Sequence, residues 1–147
     1  MGTFKSTAWP ARMDAALLIL RLASAMAFLY HGSAILFGVF GGPGPERFAA
    51  FMHQPAAIGY LVGLAQLAGG LAVLSGVLIR IGAVCIIAVM LGAIFLVHLP
   101  HGFDIGKGGI EYALTQLLIA VALLLTGPGI YSLRLWGPAK GPKLMRD

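Results

Sequence analysis

Four long apolar runs, separated by short breaks rich in glycine and proline, dominate the pattern of hydrophobic and polar positions along the chain. They cover approximately residues 15–40, 56–79, 81–99 and 110–130. An α-helix needs about 20 apolar residues to cross a bilayer, and each run is close to or above that length. The pattern therefore predicts four membrane spans in a single membrane domain over residues 1–147, which ends in a basic tail at 136–147.

The breaks between the runs predict how the helices are connected. The segment GGPGPERFAAFMHQP separates the first two runs and predicts a helix-breaking loop. The second and third runs are divided only at Arg80 and Gly82, which predicts a tight turn there. The last run stops at the glycines and proline of TGPGIYSL. Short connections favour antiparallel neighbours, so we expect an all-α, integral membrane, antiparallel four-helix bundle.

Composition favours a membrane protein over other classes. Hydrophobic residues make up 59% of the chain and charged residues only 10%, against about 25% charged in soluble domains. Such a chain cannot cover a water-facing surface, so we expect contact with membrane lipid. The net charge of +5 does not indicate nucleic acid, because the basic residues flank apolar runs. The single cysteine, Cys85, excludes a disulfide within the chain and a CxxC redox motif.

The distribution of basic residues predicts the orientation of the bundle. With four spans both chain ends lie on one side, which then carries seven basic residues against two on the other side. The seven are Lys5, Arg12, Arg80, Arg134, Lys140, Lys143 and Arg146, and the two are Arg47 and Lys107. Because basic loops stay in the cytoplasm, we expect both the N- and C-termini there.

All four histidines fall toward the opposite, outer side. His31 and His98 lie near the outer ends of two predicted helices, and His53 and His101 lie in outer loops. An antiparallel bundle would gather them into one polar mouth. Histidines there could hydrogen-bond a quinone, move protons or bind a metal or haem, or they could be interfacial side chains satisfied by water. The residues alone leave these alternatives open.

Glu111 stands at the mouth of the fourth run, at the end of the stretch VHLPHGFDIGKGGIE. A carboxylate in a first helical turn is favoured by the helix dipole without any further function. Gly108 and Gly109 before it would also let the backbone approach another group closely, and Thr115 lies one turn below on the same face. The second hypothesis is therefore a carboxylate that passes protons to a redox ligand.

Two polar residues stand inside apolar runs. Arg21 lies roughly 10 Å deep in the first helix. Inserting an arginine at the middle of a membrane helix costs about 2.5–3.5 kcal/mol. It could snorkel toward the cytoplasm or pair with Asp14, or it could contact an anion or a quinone carbonyl. Gln66 shares one helical face with Gly63 and Gly70, so we expect that face to contact another helix. Gln66 would then form an interhelical hydrogen bond or bind a ligand.

Taken in order, these elements resemble the DoxX family of small four-helix inner-membrane proteins. The resemblance covers roughly residues 15–133 and rests on the order and spacing of several segments. They are LLILRLASAMAFLYHGSAILFG, LVGLAQLAGGLAVLSGVLIRIGA, VMLGAIFLVHLPHGF, GGIEYAL and TGPGIYSL. The family is named for its relation to a membrane subunit of thiosulfate:quinone oxidoreductase. The resemblance implies a location in a bacterial or archaeal cytoplasmic (inner) membrane.

Most positions of the family pattern are present, and three depart from it. The matching residues are Arg21, His31, Gly32, Phe37, Gly38, Arg80, Met90, His98, Gly109, Glu111, Tyr112, Gly127 and Gly129. Ile35 stands where the family usually has lysine, Gln66 where it has glutamate, and Arg134 where it often has aspartate. A lysine and a glutamate could pair or relay protons, so part of the family's chemistry could be missing here.

The leading hypothesis is a membrane subunit of a quinone-linked oxidoreductase complex, passing electrons from an outer-face donor such as a sulfur compound to quinone. The predicted catalytic residues are His31, His98 and Glu111, and the predicted cofactor-binding residues are Arg21, Gln66 and His101. No metal site is assigned, although haem or a metal stays open as a cofactor. We expect a redox partner subunit and leave a homo-oligomer open. The alternative is a non-catalytic scaffold or accessory subunit that anchors partners or binds a lipophilic or metal cargo.

Overall fold

The computed structural model describes residues 11–133, and the basic tail predicted at 136–147 lies outside them. Within that range the chain is helical and contains no β-strand. The helices are α1 (Ala11–Phe37), α2 (Gly44–Phe51), α3 (Ala56–Ser75), α4 (Ile79–Ala93) and α5 (Glu111–Thr126). Helices α1, α3, α4 and α5 form the bundle, which confirms the predicted all-α membrane fold.

Three stretches are long and apolar enough to cross a membrane: Arg12–Phe37, Ala56–Ser75 and Ile79–His101. Helix α5 is apolar but has only 16 residues, about 24 Å of helix. It ends before the limit of the predicted span over 110–130, because the chain turns away at Gly127 and Pro128. Three of the predicted spans therefore end earlier than expected, since α1 also ends at Phe37 and not at residue 40, and α3 ends at Ser75 and not at residue 79.

The turn between α3 and α4 lies earlier than the sequence predicted. Helix α3 ends at Ser75 and α4 begins at Ile79, so Arg80 and Gly82 belong to a helix and not to the turn. Gly76 makes the turn, because its φ of 78° is a left-handed conformation that other residues rarely adopt. Gly82 serves packing instead, since a Cβ there would lie 2.7 Å from the Cβ of Ala72 on α3.

The segment predicted as a helix-breaking loop contains the short helix α2. Pro45 lies at its start, where proline is tolerated because the missing N–H would have no intrahelical partner. Ala49 of α2 is buried, and the helix packs on α3. A side chain at Gly59 of α3 would collide with the carbonyl oxygen of Pro45. Tertiary packing therefore stabilises a helix that the glycine and proline content argued against.

Glycines let the backbones of α1 and α3 approach each other closely. A Cβ on Gly32 would lie 2.6 Å from the backbone nitrogen of Leu67, and a Cβ on Gly63 would lie 2.7 Å from Leu36. Gly70 also faces α1. The predicted contact of this face with another helix is therefore confirmed. Such close packing matters because lipid offers no hydrophobic driving force between helices.

The centre of the bundle is apolar, with a few polar side chains embedded in it. The core residues are Leu17, Ala25, Phe28, Val73, Ile79, Ile86, Met90, Ile94, Ala113, Ala120 and Leu123. The buried polar residues in the described part of the chain are Asp14, Arg21, Ser24, Gln66 and Gln116. A buried polar group is costly without a hydrogen-bond partner, so the partners of these five residues separate structural positions from candidate functional ones.

Candidate functional site

Arg21 is the centre of one end of the bundle, the Arg21 end, formed by the first half of α1, the α3–α4 turn and residues 127–133. Its side chain is 1% exposed. Nε donates to the carbonyl oxygen of Val73 at 2.8 Å, and Nη2 donates to that of Leu74 at 2.6 Å. Nη1 donates to the carbonyl oxygens of Pro128, at 2.9 Å, and Tyr131. Arg21 thus satisfies carbonyls at the end of α3 that have no partner within that helix.

Other residues fix the same end around this guanidinium. The Asp14 carboxylate accepts a hydrogen bond from the backbone N–H of Ile130 at 3.0 Å. A Cβ on Gly76 would lie 2.8 Å from Nη2 of Arg21, and a Cβ on Gly129 would lie 2.9 Å from Asp14. The residues of TGPGIYSL are therefore held by α1. An open groove of about 570 Å³ borders this end.

The predicted role of Arg21 in cofactor binding has little support from this geometry. The guanidinium has five N–H donors, and the four hydrogen bonds above direct them mainly at backbone oxygens. Arg21 also lies ten residues before His31 on α1, about 15 Å along the axis. The structure therefore does not bring Arg21 together with the histidines.

The opposite end, the histidine end, is formed by the second half of α1, α2, the start of α3, residues 94–110 and the start of α5. His31 of α1 meets Tyr112 of α5 there, with ring centroids 6.1 Å apart. Tyr30 lies edge-on to His31 at 5.3 Å and stacks on Phe40 at 5.1 Å. We call Tyr112, His31, Tyr30 and Phe40 the aromatic row. Within residues 11–133, neither the imidazole of His31 nor the hydroxyl of Tyr112 has a hydrogen-bond partner.

His31 and Tyr112 lie at the seam between α1 and α5, which is the least extensive contact between adjacent spanning helices of the bundle. Deeper in the seam the Ser24 hydroxyl donates to Oε1 of Gln116 at 3.0 Å. Ser24, Gln116 and Tyr112 were not among the site residues predicted from the sequence. The available signal was helical spacing, since Ser24 lies seven residues before His31 and Gln116 lies four residues after Tyr112.

His98 and His101 stabilise the connection between α4 and α5. The helix of α4 continues as a π-helical turn over Ile94–His98. Nδ1 of His98 donates to the carbonyl oxygen of Gly108 at 2.6 Å, and Nδ1 of His101 donates to that of Val97 at 3.0 Å. Because a carbonyl oxygen can only accept, each Nδ1 carries the proton, and Nε2 is the acceptor in the neutral ring. His101 is exposed and bonds back to its own helical turn.

Glu111 holds the same connection from the other side. Its Oε2 accepts a hydrogen bond from the backbone N–H of Ile105 at 3.1 Å, and its side chain is half-buried. A Cβ on Gly109 would lie 2.5 Å from the carbonyl oxygen of Gly102, so this loop is closely packed. His98 and Glu111 are therefore brought together through one loop, residues 102–110. Tyr112 follows Glu111 directly and carries the contact to His31.

Gln66 is 6% exposed and forms no hydrogen bond to any residue between 11 and 133. Gly63 and Gly70 on its helix face α1, whereas Gly69 faces α4, where its Cβ would lie 3.2 Å from a backbone oxygen. Gln66 lies between these two directions, so it points toward the centre of the bundle. The contacts of Gly63 and Gly70 with α1 also place it at the depth of Gly32, the residue after His31.

The geometry separates the predicted site residues into four groups. His31 and Gln66 have free polar atoms at similar depth, while His98 and Glu111 engage the loop above them. His101 bonds within its own turn, and Arg21 lies at the other end. No three histidine, cysteine, aspartate or glutamate side chains come close enough to hold a metal ion in the described part of the chain.

Comparison with known proteins adds a family and one relative. The family model described as DoxX matches residues 16–99, which run from within α1 to just past α4 and exclude α5. A protein of Bacillus subtilis (strain 168) with the name "Putative oxidoreductase CatD" is 30% identical over 110 residues, 75% of this chain and 78% of that protein. No solved structure matches the chain.

Proposed function

The chain belongs to the DoxX family of membrane proteins, and from this premise we propose that it is the membrane subunit of a quinone-linked oxidoreductase complex. In this proposal it passes electrons from a donor at the histidine end to a quinone in the bilayer. The donor would be bound by a partner subunit, because Cys85 is the only cysteine and the chain has no CxxC motif. The name of the Bacillus subtilis relative is compatible with redox chemistry and names no donor.

One observation carries this proposal: His31 and Tyr112 meet across the α1–α5 seam with polar atoms that no other described residue engages. A quinone offers two carbonyl oxygens to hydrogen-bond donors, and an imidazole N–H and a phenol O–H are suitable donors. The aromatic row adds the ring faces of Tyr30 and Phe40, against which a flat ring can stack. The hydrogen-bond donors and aromatic faces at this end are therefore of the chemical types that a quinone needs.

The position of the pair also fits a ligand that arrives from lipid. His31 and Tyr30 are exposed on the bundle surface, and α1 makes less contact with α5 than with α3. A lipophilic molecule could reach the pair through the α1–α5 seam without first entering water. A site of this kind has an apolar approach and a few polar groups that fix orientation.

When bound, a quinone supplies an acceptor for both electrons and protons. Glu111 and His98 are the residues that could hold or move these protons. Glu111 uses Oε2 to hold Ile105, which leaves Oε1 for exchange, and Nε2 of neutral His98 is an acceptor. Both lie on the loop side of Tyr112, where water reaches the exposed residues of the loop. Their present hydrogen bonds make them positioning residues for the loop as well.

Binding of quinone to the purified protein tests the proposal. The protein would be solubilised in mild detergent, extracted for bound quinone, and titrated with a short-tailed benzoquinone. We expect His31→Phe and Tyr112→Phe each to weaken binding by about tenfold, the value of one lost hydrogen bond. Both variants keep an aromatic ring in the row and remove only the donor.

Matched controls are available at the same end of the bundle. His53→Asn removes another imidazole, and asparagine tolerates the left-handed φ of 53° at that position. Tyr60→Phe removes a hydroxyl from an exposed tyrosine of α3. Both should bind like the wild type. If the wild type binds no quinone, or if all four variants bind alike, the accessory-scaffold alternative replaces the proposal.

A further inference from the structure

Two large apolar side chains are exposed on the loop over residues 102–110, just beyond the third spanning stretch. Phe103 is 62% exposed and Ile105 is 55% exposed. The spanning stretch before them ends at His101, and α5 begins at Glu111. On a spanning helix such side chains meet lipid, whereas on a loop in water their contact with solvent is unfavourable. Both side chains therefore favour an apolar surrounding over water.

The backbone of the same loop forms most of its hydrogen bonds within the protein. The backbone N–H groups that donate to the loop or to the residues beside it are those of Gly102, Ile105, Gly106, Lys107, Gly108, Gly109, Ile110 and Glu111. A loop in water can leave such groups to solvent, but backbone groups close to the hydrocarbon of a bilayer must be satisfied by the protein. The hydrogen bonding of this loop therefore suits a position at the edge of the hydrocarbon.

The length of α5 brings the bilayer to this loop. The helix has 16 residues, about 24 Å, whereas the hydrocarbon core of a bilayer is about 30 Å thick. A bilayer of ordinary thickness therefore extends about 6 Å past the ends of α5, onto the residues that flank it. At the histidine end, the residues that precede α5 are those of the loop over 102–110.

We propose that the loop over residues 102–110 lies in the lipid interface, with the side chains of Phe103 and Ile105 inserted among the acyl chains. Lys107, which is exposed on the same loop, directs its ammonium group toward the phosphates of the lipid headgroups. The surface formed by Phe103 and Ile105 thus binds the bilayer and not a second protein. This inference goes beyond the proposed function and holds whatever ligand the histidine end binds.

The inserted loop also sets the depth of the two side chains that hold it. His98 donates to the carbonyl oxygen of Gly108, and Glu111 accepts from the N–H of Ile105. Both side chains therefore lie at the depth of the headgroups, where water and hydrocarbon meet. Lipid contact at the loop stabilises them in this position.

Spin labels on cysteine variants test the inference in phosphatidylcholine vesicles that contain the purified full-length chain and no other protein. Cys85→Ser first removes the single cysteine of the chain. Labels are then attached to Phe103→Cys and to Ile105→Cys. The references are Leu118→Cys, on the exposed side of α5, and Gln54→Cys, in the exposed loop between α2 and α3. Power saturation measures how readily each label is reached by oxygen, which concentrates in hydrocarbon, and by a nickel chelate, which stays in water.

We expect the labels at positions 103 and 105 to match the oxygen accessibility of the label at 118 and to lose the nickel accessibility of the label at 54. If nickel reaches either loop label as readily as the label at 54, the inference is overturned. The loop would then stand in water, and the bilayer would thin around α5. Loop labels shielded from both reagents would overturn it too, because a second copy of the chain would then cover them.

Discussion

The Arg21 end and the histidine end of the bundle differ in whether their polar side chains have hydrogen-bond partners. At the Arg21 end a guanidinium is surrounded by four backbone carbonyl oxygens, and Asp14 holds the loop beside it. At the histidine end His31, Tyr112 and Gln66 have polar atoms that no described residue engages. One end uses its polar residues to join helices, and the other end leaves several of them free to meet a ligand.

This difference teaches that a charge inside a membrane helix is not by itself a functional site. Arg21 is the most deeply buried charge of the described chain, but its hydrogen bonds close the ends of α3 and α5. His31 carries no obligatory charge and is exposed, but it keeps its hydrogen-bonding capacity. The comparison therefore supports a structural role for Arg21 and leaves the histidine end as the proposed binding site.

The largest expected effect is the loss of Arg21. Arg21→Gln removes most of the donors to Val73, Leu74, Pro128 and Tyr131, and leaves buried carbonyls without partners. Hydrogen bonds to a charged group contribute about 1.5–3 kcal/mol each, so the unfolding free energy should fall by at least about 3 kcal/mol. The melting temperature in detergent would show a large decrease.

The exposed Arg80 of α4 provides the control for charge removal. Arg80→Gln should melt close to the wild type, because that side chain is exposed and forms no hydrogen bond to any residue between 11 and 133. Arg21→Lys should recover only part of the lost stability. A lysine ammonium is a compact point charge and lacks the planar fork of donors with which arginine reaches several carbonyls. If the Arg21→Gln protein is as stable as the wild type, Arg21 does not have the structural role proposed for it.

Two glycine-to-alanine substitutions should have the next largest effects on the unfolding free energy, and these effects should have opposite signs. Gly76→Ala should lower the unfolding free energy by about 2 kcal/mol or more, because φ is 78° and the new Cβ would lie 2.5 Å from Cβ of Ser132. Gly92→Ala, within α4, should raise it by about 0.5–1 kcal/mol, because no atom lies within 4 Å of the new methyl group. Thermal melts of both variants check the pair. Equal effects would mean that the α3–α4 turn is less tightly packed than described.

The smallest expected effect lies at the histidine end. Glu111→Gln keeps an oxygen for the N–H of Ile105 but removes the exchangeable proton. Quinone affinity should therefore stay near that of the wild type, while quinone-dependent turnover in membranes falls by about tenfold. Arg47→Ala, an exposed change in α2, should alter neither quantity. If Glu111→Gln reduces binding and turnover equally, Glu111 acts only as an anchor for the loop.

The sequence predicted those features that depend on local patterns. Apolar runs indicated the bundle, and the spacing of Gly63 and Gly70 indicated a helix contact. The left-handed Leu78 of the α3–α4 turn was missed, because nothing in a leucine signals a φ of 53°. Helix α2 was missed because its stability comes from packing on α3 and not from its own residues.

The candidate site was predicted only in part, for the same physical reason. Arg21 finds its partners 52 to 110 residues away in the sequence, so a pattern of neighbours could not reveal them. The pairing of His31 with Tyr112 likewise depends on α1 lying beside α5. Residue type did identify His31 and Gln66 as candidates, since polar groups in apolar runs are costly wherever the chain folds.

Photolabelling tests most directly whether binding occurs at the histidine end. A benzoquinone with a photoreactive group on a short tail would be added to the detergent-solubilised protein, irradiated, and mapped by peptide mass spectrometry. We expect labels within residues 26–40, in the second half of α1 and just after it, and within 110–116, at the start of α5, and we expect competition by unlabelled quinone. Labels concentrated at residues 71–75 and 130–133, where the groove of about 570 Å³ beside Arg21 has its lining, would contradict the proposed binding at the histidine end.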